Sequence, residues 1–148
     1  MRTATAIMGM VLMAFGLLGT FAEEKGATSA PPFLGRPVIV DGGRYLIITP
    51  AELKSLLTGK NFFLVNTHVP YAGEIAATDA SIPFDRTRMD IGRYPTDKSA
   101  RIVVYCRSGH MSDIAARELA RLGYTNVLDL DEGMIAWARA GYPLENRQ

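Results

Sequence analysis

The stretch "RIVVYCRSGHMSDIAARELARLGY", residues 101–124, sets an apolar run against an amphipathic one, with a cysteine between them. "RIVVY" is continuously apolar after its first residue and predicts a buried strand of a parallel sheet. "MSDIAARELARL" predicts a helix with Ile114, Ala115, Leu119 and Leu122 facing inward and Gly123 ending it. Cys106 falls at the junction, followed by a short loop of Arg107, Ser108, Gly109 and His110. Gly109 allows a left-handed backbone. A loop folded this way can aim consecutive N–H groups inward as an anion nest, and the following helix adds its positive end. Arg107 and His110 can add positive charge. Such a field favours a thiolate over a thiol and suits a sulfur nucleophile.

Outward from the junction, strands and helices alternate. "VIVDGGRYLII" holds two β-branched runs around Asp41-Gly42-Gly43 and predicts a hairpin or an edge strand. "TPAELKSLLTGK" predicts a helix with Thr49 as N-cap, Pro50 at the first helical position and Glu52 at the capping-box position. Leu53, Leu56 and Leu57 share its inner face, and Gly59 marks its stop. "NFFLVN" reads as a buried strand. Residues 67–100 lack a sustained period and read as an extended connection with one short helical turn. "NVLDL" predicts a further strand, and "MIAWARA" a short helix ended by Gly141 before Pro143. This order implies an α/β domain with a mainly parallel central sheet flanked by helices on both faces. In such sheets ligands gather where strand C-terminal ends meet helix N-termini, and Cys106 is so placed.

The N-terminal segment has its own pattern. Arg2, an apolar stretch from Ala4 to Leu18, and small residues at Thr20 and Ala22 describe a secretory signal over residues 1–22, with an uncleaved anchor as the alternative. Residues 23–37 read as a flexible lead-in and 38–148 as the folded domain. Export is the expectation, to the periplasm if the source is a Gram-negative bacterium, with no stable membrane insertion after cleavage. Removal of residues 1–22 takes Lys+Arg from 16 to 15, because Arg2 is lost, against 15 Asp+Glu. A nearly neutral chain with no basic run excludes nucleic acid as an expected partner. Exported domains tend to pair their cysteines, yet this chain has a single one. A lone thiol is either buried and inert or exposed and reactive.

The loop Cys106-x-x-Gly109-x-x-Ser112 leads into a helix, followed by Leu122-Gly123-Tyr124, then Gly133 with Ala136-Trp137, then Gly141-Tyr142-Pro143. This ordered series resembles the C-terminal half of a rhodanese domain. "FFLVNTHVPYAGEI" and "SIPFD" resemble that family's first core strand and its Ile-Pro turn, so the likeness covers roughly residues 45–145. The resemblance implies a rhodanese-like fold and a sulfurtransferase of the thiosulfate type. Cys106 would be nucleophile and persulfide carrier. Arg107, Ser108, Gly109, His110, Met111 and Ser112 would bind the anionic substrate, with the amides of 107–111 as stabilisers. The partners it implies are a small-molecule sulfur donor and a thiophilic acceptor such as cyanide or a thiol, with no metal or organic cofactor.

Several positions depart from the family's pattern. Asn66 and His68 stand where Asp and Arg are common, Met111 where Arg is common, and Glu132-Gly133 where two glycines are usual. His68 reads as the replacement of a structural arginine, and Ser112 as a cap. Trp137 reads as core. Asp129, Asp131 and Glu132 read as a solvated strand end, and Arg86, Arg88 and Arg93 as a solvated connection. One Cys and two widely separated His do not form a metal ligand set. A cysteine phosphatase or arsenate reductase needs Arg six residues after its cysteine, and that position is Ser112. A non-catalytic binding or sulfur-carrier module remains the alternative.

Overall fold

A computed structural model of the chain describes residues 34–146. The signal expected over residues 1–22 lies outside the described residues, as does the expected lead-in up to residue 33. Six strands and three helices follow in the order β1 (Arg36–Val40), β2 (Gly43–Ile48), α1 (Pro50–Thr58), β3 (Phe63–Asn66), β4 (Ala80–Ser81), β5 (Ile102–Tyr105), α2 (His110–Arg121), β6 (Val127–Leu130) and α3 (Gly133–Arg139).

The strands form one sheet in the order β1-β2-β6-β5-β3-β4. Every pairing is parallel except the β1–β2 hairpin. The hairpin turns at Asp41-Gly42, where Gly42 takes φ 85°. β4 was not expected; two residues are too short for any alternation to show. Its pairing with the end of β3 carries the long connection along the sheet edge. The rest of that connection is loop and two 3-10 turns, Phe84–Arg86 and Ile91–Arg93, one more turn than expected.

α1 starts as its sequence dictates. The Thr49 hydroxyl accepts from the Glu52 N–H at 3.3 Å, and the Glu52 carboxylate accepts from the Thr49 N–H at 2.7 Å. These reciprocal bonds satisfy two of the helix's orphan donors. Glu52 also accepts from the Gly35 N–H at 2.9 Å, which ties the segment before β1 to this helix.

Two apolar layers sandwich the sheet. One packs Leu64, Val103, Tyr105, Leu128 and Leu130 against Leu53 of α1 and Met134 and Trp137 of α3. The other packs Val65, Ile102, Val104 and Val127 against Ala116 and Leu119 of α2, with Tyr94 and Tyr124 beside them. Neighbours along β5 and β6 thus go to opposite faces, as a pleated strand requires. On α2 the buried face is Ser112, Ala115, Ala116, Leu119 and Ala120. Ile114, expected to point inward, is 37% exposed. It lies two residues from both Ser112 and Ala116, about 200° around the helix from each, and so on the side away from the sheet.

Candidate active site

Strand alternation places the sulfur. Ile102 and Val104 face α2, so Cys106, next in that row, is directed to the same side. The Tyr105 carbonyl accepts from both the Thr67 N–H at 2.8 Å and its hydroxyl at 3.0 Å, which ties the exits of β3 and β5 together. The next two carbonyls are held from the other face. The Met134 N–H donates to Cys106 at 2.8 Å and the Ile135 N–H to Arg107 at 3.0 Å. Two otherwise orphaned donors of the first turn of α3 thereby fix the loop backbone. Gly133, at φ 53°, makes this approach possible: a Cβ there would lie 2.1 Å from the Cys106 carbonyl oxygen. Glu132 precedes it at φ 51°, a left-handed conformation that costs a side-chain-bearing residue about 1–2 kcal/mol.

Above this seat the loop wraps the sulfur. Gly109 is the N-cap of α2 at φ 93°, and its N–H points at Cys106 Sγ from 3.0 Å. The Ser112 hydroxyl lies 3.6 Å from the sulfur and 3.2 Å from the Gly109 carbonyl. Among the described residues these are the donors within hydrogen-bonding reach of Sγ. The ring of amides expected over 107–111 is thus narrower, one N–H and one hydroxyl. Ser112 is not the helix cap it was expected to be; it sits inside the first turn, completely buried. Cys106 is completely buried too, while Arg107, Ser108 and His110 are exposed and Met111 is half-buried.

The departures each have a structural place. Asn66, buried, donates to the Gly73 carbonyl at 3.0 Å and accepts from the His68 N–H at 3.0 Å. A carboxylate could not make the first of these bonds, so the amide closes the loop after β3 by itself. Burial and the nearby Arg107 guanidinium push the His68 imidazole below its ordinary range, so it is neutral at pH 7. Arg107 lines a shallow groove of about 220 Å³ with Ala72, Met134, Ile135, Ala138 and Leu144. Trp137 is core, as expected, and its indole N–H donates to the Pro143 carbonyl at 2.9 Å. The segment after it pairs with the connection that follows β3, where Glu74 and Glu145 exchange two backbone bonds of 2.8 Å in an isolated antiparallel bridge.

One expectation is overturned. Asp131 and Glu132 are exposed, but Asp129 is only 3% exposed. It follows Val127 on the α2 face and joins a polar cluster there. Asp113 accepts from the Tyr45 hydroxyl and from Arg117 Nε at 2.8 Å. Burial raises the Asp113 carboxyl, but these two bonds outweigh it and hold the group below its ordinary value. Burial pushes the Asp129 carboxyl up to about 8; the Ser112 hydroxyl and Arg117 oppose the rise, and Asp113 and Asp131 add to it. The signal in the sequence was the flanking apolar pattern of "NVLDL", which buries all four strand residues.

The family described as the rhodanese-like domain matches residues 49–140. A sulfurtransferase of Allochromatium vinosum is 40% identical over 63 residues, covering 43% of this chain and 57% of that protein. The chain therefore spans little more than half the length of that relative. The Arabidopsis thaliana "Rhodanese-like domain-containing protein 15, chloroplastic" is 31% identical over 131 residues, covering 86% of this chain and 67% of the relative. A rhodanese-related protein from Thermoplasma volcanium superposes with a TM-score of 0.57 at 27% identity, covering 66% of this chain and 94% of the other. A parallel sheet with its lone cysteine at the β5–α2 junction, and a family match over more than half its length, show that this chain belongs to the rhodanese-like domain family.

Proposed function

We propose that the protein is a sulfurtransferase that moves a sulfane sulfur from thiosulfate or a similar donor to a thiophilic acceptor through a persulfide on Cys106. The observation that carries this reading is the seat of the sulfur: a strand-end cysteine facing the Gly109 N–H at 3.0 Å and the Ser112 hydroxyl. In the first half-reaction the Cys106 thiolate attacks the outer sulfur of thiosulfate. A sulfur–sulfur bond forms to Cys106, the bond to the sulfonyl sulfur breaks, and sulfite leaves with its electron pair. In the second, cyanide or a thiolate attacks the terminal sulfur and the Cys106 thiolate is regenerated. Splitting the transfer in this way is nucleophilic covalent catalysis. The two donors stabilise negative charge on sulfur, in the manner of an oxyanion hole. Because Cys106 is enclosed, attack requires local opening of the 107–110 segment, in which Arg107, Ser108 and His110 are exposed.

That same enclosure favours a second reading, a sulfur carrier or binding module that is loaded by a partner rather than by a free donor. Mass spectrometry after exposure to thiosulfate separates the two. The enzyme gains one sulfur at Cys106 and loses it to cyanide. Cys106→Ser abolishes the gain while leaving the denaturant midpoint nearly unchanged. Turnover that survives this substitution would refute the assignment. A protein that takes no sulfur from any small donor, yet accepts it from a partner protein, is the carrier.

A further inference from the structure

The helix that follows the cysteine starts on a glycine. Gly109 brings no side-chain cap to α2 and has the widest backbone freedom of any residue. Yet its N–H is the nearer of the two donors to Cys106 Sγ, at 3.0 Å. The Gly109 peptide is steadied from behind. Its carbonyl accepts from the Asp113 N–H at 3.0 Å, the opening bond of the helix, and from the Ser112 hydroxyl at 3.2 Å. Asp113 is therefore two hydrogen bonds away from the sulfur. Its side chain reaches the other way. One oxygen accepts from the hydroxyl of Tyr45 on β2, the other from Arg117 Nε at 2.8 Å, one turn along α2. The Arg117 bond lies within the helix and fixes only the angle of the carboxylate. The Tyr45 bond joins the helix start to the sheet. Tyr45 is 1% exposed, its ring lies 5.8 Å from the Arg117 guanidinium, and β2 stands two strands from the β5 that delivers Cys106.

We propose that Tyr45 is a positioning residue that pins the first turn of α2 to the sheet through Asp113 and so keeps the Gly109 N–H on the sulfur. Tyr45 itself touches no reacting atom. With its hydroxyl removed, Asp113 is held only by its own helix, and the glycine N-cap loses its tie to β2. The Gly109 N–H then spends part of its time off the sulfur, and an anionic thiolate or persulfide is less well stabilised, because hydrogen bonds to a charged partner are the strong ones. The Asp113 charge acts on the sulfur as well and opposes a thiolate, so the pin has to be separated from the charge. Asp113→Asn removes the charge and keeps an oxygen for the Tyr45 hydroxyl; Asp113→Ala removes both. The other titratable groups around this turn, His110 and Arg117 on α2 and Asp129 on β6, are common to every variant.

This proposal deepens the sulfur-transfer reading and rests on it for the use made of the thiolate, but its test needs no transfer. The ratio of thiolate to thiol at Cys106 is read from far-ultraviolet absorbance, with Cys106→Ser subtracted, in the wild type, Tyr45→Phe, Asp113→Asn, Asp113→Ala and Tyr45→Phe combined with Asp113→Ala. At a pH where the wild-type thiol is partly ionised, the ratio is expected to fall about fivefold in Tyr45→Phe, the factor one net hydrogen bond is worth. A like fall is expected from Asp113→Asn to Asp113→Ala. Adding Tyr45→Phe to Asp113→Ala is expected to change nothing further, because the path is already cut. An unchanged ratio in Tyr45→Phe overturns the proposal even if the denaturant midpoint drops, since that is the mark of a merely structural phenol. So does an undiminished fall when Tyr45→Phe is added to Asp113→Ala. Should Tyr45→Phe not fold, the two single Asp113 variants decide, and equal ratios in them overturn the proposal. Wild-type loading from thiosulfate is followed alongside: if none occurs, the small-donor reading fails, and the thiolate ratios still decide the role of Tyr45.

Discussion

The two faces of the sheet treat the same loop differently. On the α1/α3 face the layer is apolar but for the Tyr105 hydroxyl, which is bonded to Thr78 and the Ile75 N–H, and its grip on the loop is through backbone: the first turn of α3 holds the carbonyls of Cys106 and Arg107. On the α2 face the apolar layer gives way, near the strand ends, to Tyr45, Asp113, Arg117, Asp129 and Ser112, and the grip is through hydrogens directed at sulfur and carboxylate. β6 supplies both, Leu128 and Leu130 to one side, Val127 and Asp129 to the other. The contrast teaches a division of labour: one side holds the loop by its backbone carbonyls, the other directs an N–H and a hydroxyl at the sulfur it carries.

Substitutions can break that division. The largest effect is expected from Gly133→Ala, which attacks the backbone grip. A methyl 2.1 Å from the Cys106 carbonyl forces the loop away, so sulfur loading should fall about 100-fold, as displacements near 1 Å do. Thiosulfate single-turnover kinetics check this; loading within about threefold of wild type would show that α3 does not position the loop. Leu128→Ala, on the apolar face, should cost about 2–5 kcal/mol in denaturant unfolding, equally at every pH.

Asp129→Asn sharpens the contrast, because its effect on stability should depend on pH. The unfolded chain releases this proton near about 3.9, whereas the folded chain keeps it to about 8. Between those values the native state binds more protons, so wild-type stability is favoured below pH 4 and lost as pH rises through 8. Asparagine does not titrate. The variant should therefore gain on the wild type by about 4 kcal/mol between pH 5 and pH 8.5; a constant difference would contradict the buried neutral carboxyl. The smallest effect is expected at Met111, half-buried in the first turn of α2. Met111→Arg should lower the Michaelis constant for thiosulfate about threefold, the size of an exposed ion pair, and an unchanged constant would remove that account of the position.

Much of the architecture was legible because local chemistry and period agreed. Thr49, Pro50 and Glu52 specify the start of α1 without reference to anything distant. The apolar runs of β3, β5 and β6, with helical periods between them, specify a parallel sheet, and Cys106 falls at a strand end by counting alone. β4 was not legible, since Ala80 and Ser81 carry no pattern. The charge of Asp129 predicts a solvated strand end, but its place between Val127, Leu128 and Leu130 decides otherwise: tertiary burial overrides the solvation that an aspartate usually keeps. Ser112 departs from its expected place for a related reason. A serine near a helix start suggests a cap, but here the left-handed Gly109 occupies that position and turns the serine inward.

The complete enclosure of Cys106 has a consequence for how the protein survives oxidants. Two copies of the chain cannot bring their sulfurs within bonding distance while the loops are closed, so air should not crosslink them into dimers. Peroxide, too, meets the thiol only at the rate the loop opens, which slows its passage to sulfinic acid. A solitary cysteine with no bridge partner is thereby kept usable without one.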